Sequence, residues 1–275
     1  SVFKLATLVS LLDDKYVTTE SIVNCEGGVK TFSGLRIKDS HGHTQSVPVK
    51  EAFAISSNVA FAKMADQYYG NQPQKFYDHL DKFRLTKPTG IDLMTSMGRP
   101  YIKKPTDPGW SKTTVPFMAH GYEVLVSPLQ MLTFYNAVAN NGKMMKPYLV
   151  SAIRENGVET KKILPEVLVD KICSDEAIKQ AKVCLRAVVE EKGATGRKVL
   201  FDTTYSISGK TGTAVSASNN EGYRKGKKVY QSSFIGYFPS EAPKYTMAVV
   251  IQNTTESKSY TGADVSGVVF KKISD

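Results

Sequence analysis

The 275-residue sequence predicts an α+β fold in which helices are segregated from one antiparallel sheet. Two observations carry that expectation. Helical periodicity with recognisable caps dominates from about residue 48 to 142 and returns over about 175–191, after which the apolar period changes to that of strands. The chain then closes on the short helical pattern "GADVSGVVFKKISD".

The opening stretch "SVFKLATLVSLLDD" is apolar at Val2, Phe3, Leu5, Ala6, Leu8, Val9, Leu11 and Leu12, which covers nearly the whole circumference of a helix. Such a helix belongs inside the protein. Residues 15–50 read as irregular, because Gly27, Gly28, Gly34, Gly42 and Pro48 interrupt any long element. "SSNVAFAKMADQYYG" then runs from Ser56 or Ser57 as N-cap to Gly70, and "PQKFYDHLDKF" places Pro73 in a first turn. In "SPLQMLTFYNAVANNG" Ser127 caps, Pro128 opens the helix and Asn141-Gly142 stops it. A further helix over 175–191 lines up Ile178, Ala181, Leu185 and Val188. "TTYSISGKTGTAVS", "VYQSSFIGYFP" and "KYTMAVVIQN" are the strand candidates, separated by a Gly- and Lys-rich loop and by the turn "PSEAP".

Composition narrows function by exclusion. The net charge of +10 comes from scattered clusters such as Lys103-Lys104 and Lys271-Lys272 mixed with acids, so a solvated surface is the expectation and a nucleic-acid partner is not. Cys25, Cys173 and Cys184 are too few and too irregularly spaced for a disulfide framework or a zinc site, and Cys184 reads as a small buried thiol. His41 and His43 lack a third ligand in view and read as surface residues. No stretch of about 18 apolar residues is present.

"SISGKTGTA" contains Gly209-Lys210-Thr211, the close of a phosphate loop. That loop needs a glycine five positions before the Gly-Lys pair, and Thr204 stands there; "TGTAVS" which follows suits a strand, not a helix. Lys210 therefore needs different partners. A serine hydroxyl becomes a useful nucleophile when a base takes its proton, and Ser-x-x-Lys places a lysine one helical turn away. The chain has one match, Ser1 to Lys4, on the helix expected to be buried, where desolvation would lower the lysine pKa toward neutrality. Ser56-Ser57-Asn58 supplies a Ser-x-Asn element and Lys210-Thr211-Gly212 a Lys-Thr-Gly strand, in the order in which the three motifs occur together. Ser218-Asn219-Asn220 is read as a decoy in a polar loop.

With these motifs, with "HGYEVLVSPLQMLTFYNAVANNGKMMKPYLV" and with "SSFIGYFP", the whole chain resembles the transpeptidase domain of class B penicillin-binding proteins, and its cell-division members in particular. The resemblance implies a penicillin-binding/serine β-lactamase-like fold, with a helical subdomain over about 15–170 and a sheet-containing subdomain formed by 1–14 and about 171–275. It implies that Ser1 attacks a D-Ala-D-Ala carbonyl, that Lys4 takes its proton, and that Ser56 and Lys210 relay protons to the leaving amine. Asn58 would hydrogen-bond a substrate amide. Thr211 and Thr213 would hold the terminal carboxylate beside Lys210, Gly212 would keep the strand clear, and the N–H groups of Ser1 and Thr213 would form an oxyanion hole.

The implied partners are peptidoglycan stem peptides, an amine acceptor, β-lactams and divisome membrane proteins, with no metal or cofactor and no nucleic acid. The implied location is the extracytoplasmic face of a bacterial inner membrane, held by an N-terminal anchor. In the family the nucleophile follows a Pro-Gly turn and upstream strands, whereas Ser1 opens this chain. The expectation is a fragment, or missing strands supplied by another segment, with an altered oxyanion hole and an exposed apolar edge on "YTMAVVIQN". A serine β-lactamase or β-lactam sensor shares the motifs, and a non-catalytic divisome scaffold is the reading from another class.

Overall fold

The computed structural model describes residues 1–40, 45–93, 99–217, 228–252 and 259–275. His41, His43 and the Ser218–Asn220 decoy lie outside the described residues. The helices are α1 (Lys4–Asp13), α2 (Val49–Ala54), α3 (Asn58–Tyr69), α4 (Pro73–Lys82), α5 (Thr114–Met118), α6 (Pro128–Ala139), α7 (Asp175–Glu190), α8 (Arg197–Leu200) and α9 (Val268–Ser274). Numbered along the chain, short antiparallel pairs are formed by β1 (Ile22–Asn24) with β4 (Ser46–Pro48), β2 (Val29–Phe32) with β3 (Leu35–Lys38), and β5 (Tyr101–Ile102) with β6 (Val124–Leu125). Two more join β7 (Met144–Met145) to β10 (Val167–Val169) and β8 (Ala152–Glu155) to β9 (Val158–Lys162). The principal sheet runs β11 (Ser208–Ala217), β12 (Lys228–Phe238), β13 (Tyr245–Gln252), antiparallel throughout and in that order.

Helix α1 is buried on every side, with Leu5, Leu8, Val9 and Leu11 fully enclosed, as its unbroken apolar circumference requires. It lies in one large core with α3, α4, α6 and α7, which also takes Ile235 and Tyr237 from one face of β12. The alternating residues Phe234 and Phe238 point to the other face, where they join Leu200, Ile207 and Phe270 in a second core beneath α8 and α9. The sheet is thus sandwiched between helical layers. Truncating a core leucine such as Leu8 removes contacts typically worth about 2–5 kcal/mol. Among the described residues, no helix is long and apolar enough to cross a membrane.

Residues 15–50, expected to be irregular, instead hold β1 to β4. These strands are three or four residues long, too short for a period-two pattern to rise above noise. The turn joining β2 to β3 is made by Ser33 and Gly34, both at positive φ (43° and 87°), the geometry of a tight hairpin loop, with Phe32 before it and Ile37 within β3 buried. All three cysteines are buried and unpaired, and burial pushes the Cys184 thiol up to about 12.

Candidate active site

Ser1 and Lys4 sit at the N-terminal turn of α1, where the Lys4 N–H donates to the Ser1 carbonyl at 3.1 Å and places both side chains on one face. Lys4 is fully buried. Its Nζ lies 2.9 Å from Ser1 Oγ, 3.3 Å from Ser56 Oγ and 2.7 Å from Asn58 Oδ1. Burial lowers its pKa to about 7, with Asp39 pulling weakly the other way. Near neutral pH this amine therefore exists in both protonation states.

The link between α2 and α3 brings Ser56 and Asn58 to it. Ser56 takes φ 62°, a left-handed conformation rare for a side chain with a Cβ, and this reverses the chain between the helices. Of the two candidate caps, Ser57 is the one used: its Oγ accepts the Ala60 N–H at 3.0 Å. The side chains of Ser56 and Asn58 are thereby released from capping to face Lys4.

Asp39, which follows β3, holds this arrangement. Its Oδ1 accepts the backbone N–H groups of Asn58 (2.5 Å) and Val59 (3.0 Å), and its Oδ2 accepts the Ser57 hydroxyl at 2.7 Å. The neighbouring Lys38 carbonyl accepts from Asn58 Nδ2 at 2.8 Å, which orients the amide so that Oδ1 faces Lys4. A carboxylate satisfying three donors at a helix N-terminus is stabilising. Asp39→Ala is expected to cost about 2 kcal/mol, read as a lowered urea midpoint with an unchanged m-value.

Lys210 is the third residue of β11, paired with Ile235 and fully buried. Its Nζ donates to the Thr211 carbonyl (3.2 Å) and to Thr211 Oγ1 (3.4 Å), and rests 5.6 Å from the centre of the Phe53 ring of α2. Among the described residues it makes no hydrogen bond to Ser1 or Ser56. Burial first, and then the Lys4 charge, hold its pKa well below the usual lysine range. Gly212 packs against the Ser1–Lys4 turn: a Cβ there would meet Ser233 Oγ at 2.4 Å and Val2 Cγ1 at 3.0 Å. Thr211 Oγ1 donates to Thr195 Oγ1 at 2.7 Å, and Thr213 Oγ1 accepts the Gly262 N–H at 3.1 Å.

His120, beside "GYEV", is buried between Phe117 and Tyr122 with neither ring nitrogen partnered among the described residues. Burial and the nearby Lys4 lower its pKa to about 2, so it is a neutral wall of the site. Sequence reasoning missed Asp39, Thr195 and Gly262. Each acts across a long stretch of chain, and no local spacing marks it.

A family model described as penicillin binding protein transpeptidase domain matches residues 1–275. Penicillin-binding protein PbpB of Mycolicibacterium smegmatis is 26% identical over 258 residues, covering 91% of this chain and 38% of that protein. The peptidoglycan D,D-transpeptidase FtsI of Buchnera aphidicola is 25% identical over 274 residues, 99% of this chain and 44% of that protein. The chain thus spans about two fifths of the length of these curated relatives. The solved structure of penicillin-binding protein A from M. tuberculosis, a ceftriaxone acyl-enzyme complex, shares the fold with a TM-score of 0.81 at 19% identity, over 99% of this chain and 59% of that one.

Proposed function

Since this chain belongs to the penicillin-binding protein transpeptidase domain family, we propose that it performs serine acyl transfer on the D-Ala-D-Ala end of peptidoglycan stem peptides. The observation that carries this reading is Lys4, one buried amine with a pKa of about 7 lying 2.9 Å from Ser1 Oγ and 3.3 Å from Ser56 Oγ. A base poised near the working pH combines a useful neutral fraction with real proton affinity.

Neutral Lys4 takes the Ser1 proton as Oγ attacks the carbonyl carbon of the penultimate D-Ala. The C–Oγ bond forms, the tetrahedral intermediate collapses, and the C–N bond to the terminal D-Ala breaks. The proton on Lys4 passes through the Ser56 hydroxyl to the departing amine, with Lys210 beside the route. Asn58 holds a substrate amide, and the Lys210–Thr213 strand segment receives the terminal carboxylate. An amine of a neighbouring stem peptide then attacks the ester and gives its proton to Lys4. Lys4 returns that proton to Ser1 Oγ as the cross-link forms.

A β-lactam follows the first half of this route, and its tethered leaving amine stays in the site. A role in septal wall synthesis at the extracytoplasmic face of the membrane, beside divisome membrane proteins and held by an upstream anchor, belongs to the same proposal. The name of the Buchnera relative, a peptidoglycan D,D-transpeptidase, supports the wall-synthesis part of it. Intact-mass measurement after incubation with benzylpenicillin is the test. A persistent one-to-one adduct on the peptide bearing Ser1 is expected; steady release of hydrolysed drug would instead identify a β-lactamase.

A further inference from the structure

We propose that Tyr135 is a positioning residue: its hydroxyl reaches from α6 to the Val2 carbonyl and sets where Ser1 Oγ stands relative to β11. This inference rests on the acyl-transfer reading above. Tyr135 is fully buried, and its ring packs edge-on against Phe134 with 6.3 Å between centres. Its Oη lies 2.8 Å from the Val2 carbonyl oxygen, across 133 positions of sequence. A carbonyl only accepts, so the tyrosine donates. Burial holds its pKa well above the usual phenol range, which keeps that proton in place.

The acceptor belongs to the residue next to the nucleophile. The backbone bond that the Val2 carbonyl receives from the Leu5 N–H is long, at 3.4 Å, so the tyrosine is the closer donor. Two packing contacts hold the same turn from other sides. Val2 Cγ1 lies 3.0 Å from where a Cβ on Gly212 of β11 would stand. A Cβ on Gly121, at φ 102°, would lie 3.2 Å from Phe3 Cβ and 3.6 Å from the Ser1 nitrogen. Packing of this kind resists approach steeply and withdrawal weakly, whereas a short hydrogen bond resists both. The bond to Tyr135 is therefore what keeps the Ser1 turn from drifting along its contacts with β11.

Helix α6 is itself referenced to the principal sheet. Asn136, the next residue of α6, donates from Nδ2 to Thr246 Oγ1 of β13 at 3.2 Å, and β13 is joined through β12 to β11. The path from Ser1 through Val2, Tyr135, Asn136 and Thr246 thus closes a frame whose far side is the Lys210–Thr213 segment. In the acyl-transfer reading the reacting carbonyl sits between Ser1 Oγ and that segment, so the frame sets the distance of attack. A misplacement of about 1 Å at such a point costs on the order of 100-fold in rate. Lys4 has its own ties to Ser56 and Asn58, so loss of the Tyr135 bond shifts the nucleophile while the base stays held.

The test is stopped-flow acylation by benzylpenicillin over a range of concentrations, which separates the dissociation constant of the initial complex from the first-order acylation constant. Tyr135→Phe keeps the ring and removes the donor, so the acylation constant should fall about 10-fold while the dissociation constant stays within about twofold of wild type. The pH midpoint of the acylation rate, set by Lys4 at about 7, should not move. Replacing Tyr135 by p-aminophenylalanine returns a donor to the same point and should bring the acylation constant to within about threefold of wild type, a rescue that ring packing alone would not give. Thr246→Val loosens the frame at its other joint and should slow acylation in the same sense, by about threefold. That arm and the p-aminophenylalanine arm decide the matter if Tyr135→Phe does not fold. A folded Tyr135→Phe with the wild-type acylation constant, a loss confined to the dissociation constant, p-aminophenylalanine no faster than phenylalanine, or Thr246→Val at the wild-type rate would overturn the inference. Ser1→Ala separates the two levels: a penicillin adduct in that variant would sink the acyl-transfer reading itself, whereas an unaffected Tyr135→Phe leaves that reading standing.

Discussion

Ser1→Ala is expected to reduce covalent labelling by a fluorescent penicillin from stoichiometric to background, with the fold retained. The reason is placement. Ser1 Oγ is the hydroxyl nearest Lys4 among the two serines that face it, at 2.9 Å against 3.3 Å for Ser56. Ser1 is half-buried and outside the hydrophobic core, and Lys4 keeps Ser56 Oγ and Asn58 Oδ1 as partners, so removing one oxygen should cost about 1 kcal/mol. Loss of the attacking atom, by contrast, removes the covalent product altogether. The informative alternative is relocation. Labelling that persists and maps to Ser56 would reverse the roles of the two hydroxyls, and labelling elsewhere would remove the site from the reaction.

Legibility in the sequence followed the range of each interaction. Helices α3 and α6 were readable because caps, proline and glycine act within a turn of the residues they punctuate. Helix α1 was readable because eight apolar positions in the chain's first twelve residues leave no polar face. The Ser1–Lys4 pair was readable for the same reason, since three residues span one helical turn. Which of Ser56 and Ser57 capped α3 was not readable, because either hydroxyl satisfies the pattern and the choice is made by Asp39, nearly twenty residues upstream. Thr195 and Gly262 were invisible on similar grounds. A threonine that hands its proton to another helix, or a glycine that lets two backbones touch, has no local signature. The Lys-Thr-Gly strand was found as a motif, yet the bonds Lys210 makes, to its own neighbour Thr211, could not be derived from it.

Lys4→Met should slow acylation by about 10²- to 10⁴-fold, the usual range for a positioned general base, and should also change how stability depends on pH. The folded-state pKa is about 7 against 10.5 for an ordinary lysine, so between these values the unfolded chain binds more protons than the folded one. Wild-type stability gains from this group as pH rises through that window, and below about 7 the full cost of burying an ammonium is present. Methionine fills similar space without charge, but it leaves Asn58 Oδ1 without its 2.7 Å donor. Relief of the buried charge should outweigh that lost bond at pH 6, making the variant more stable than wild type there, and the advantage should shrink or reverse by pH 9. The acylation rate of wild type should rise through pH 7 as Lys4 loses its proton, while the residual rate of Lys4→Met lacks that step. A stability difference between wild type and Lys4→Met that stays constant from pH 6 to 9 would mean that Lys4 keeps its charge in the folded protein. A lysine held charged could not accept the proton of Ser1, and the base would have to be sought at Lys210.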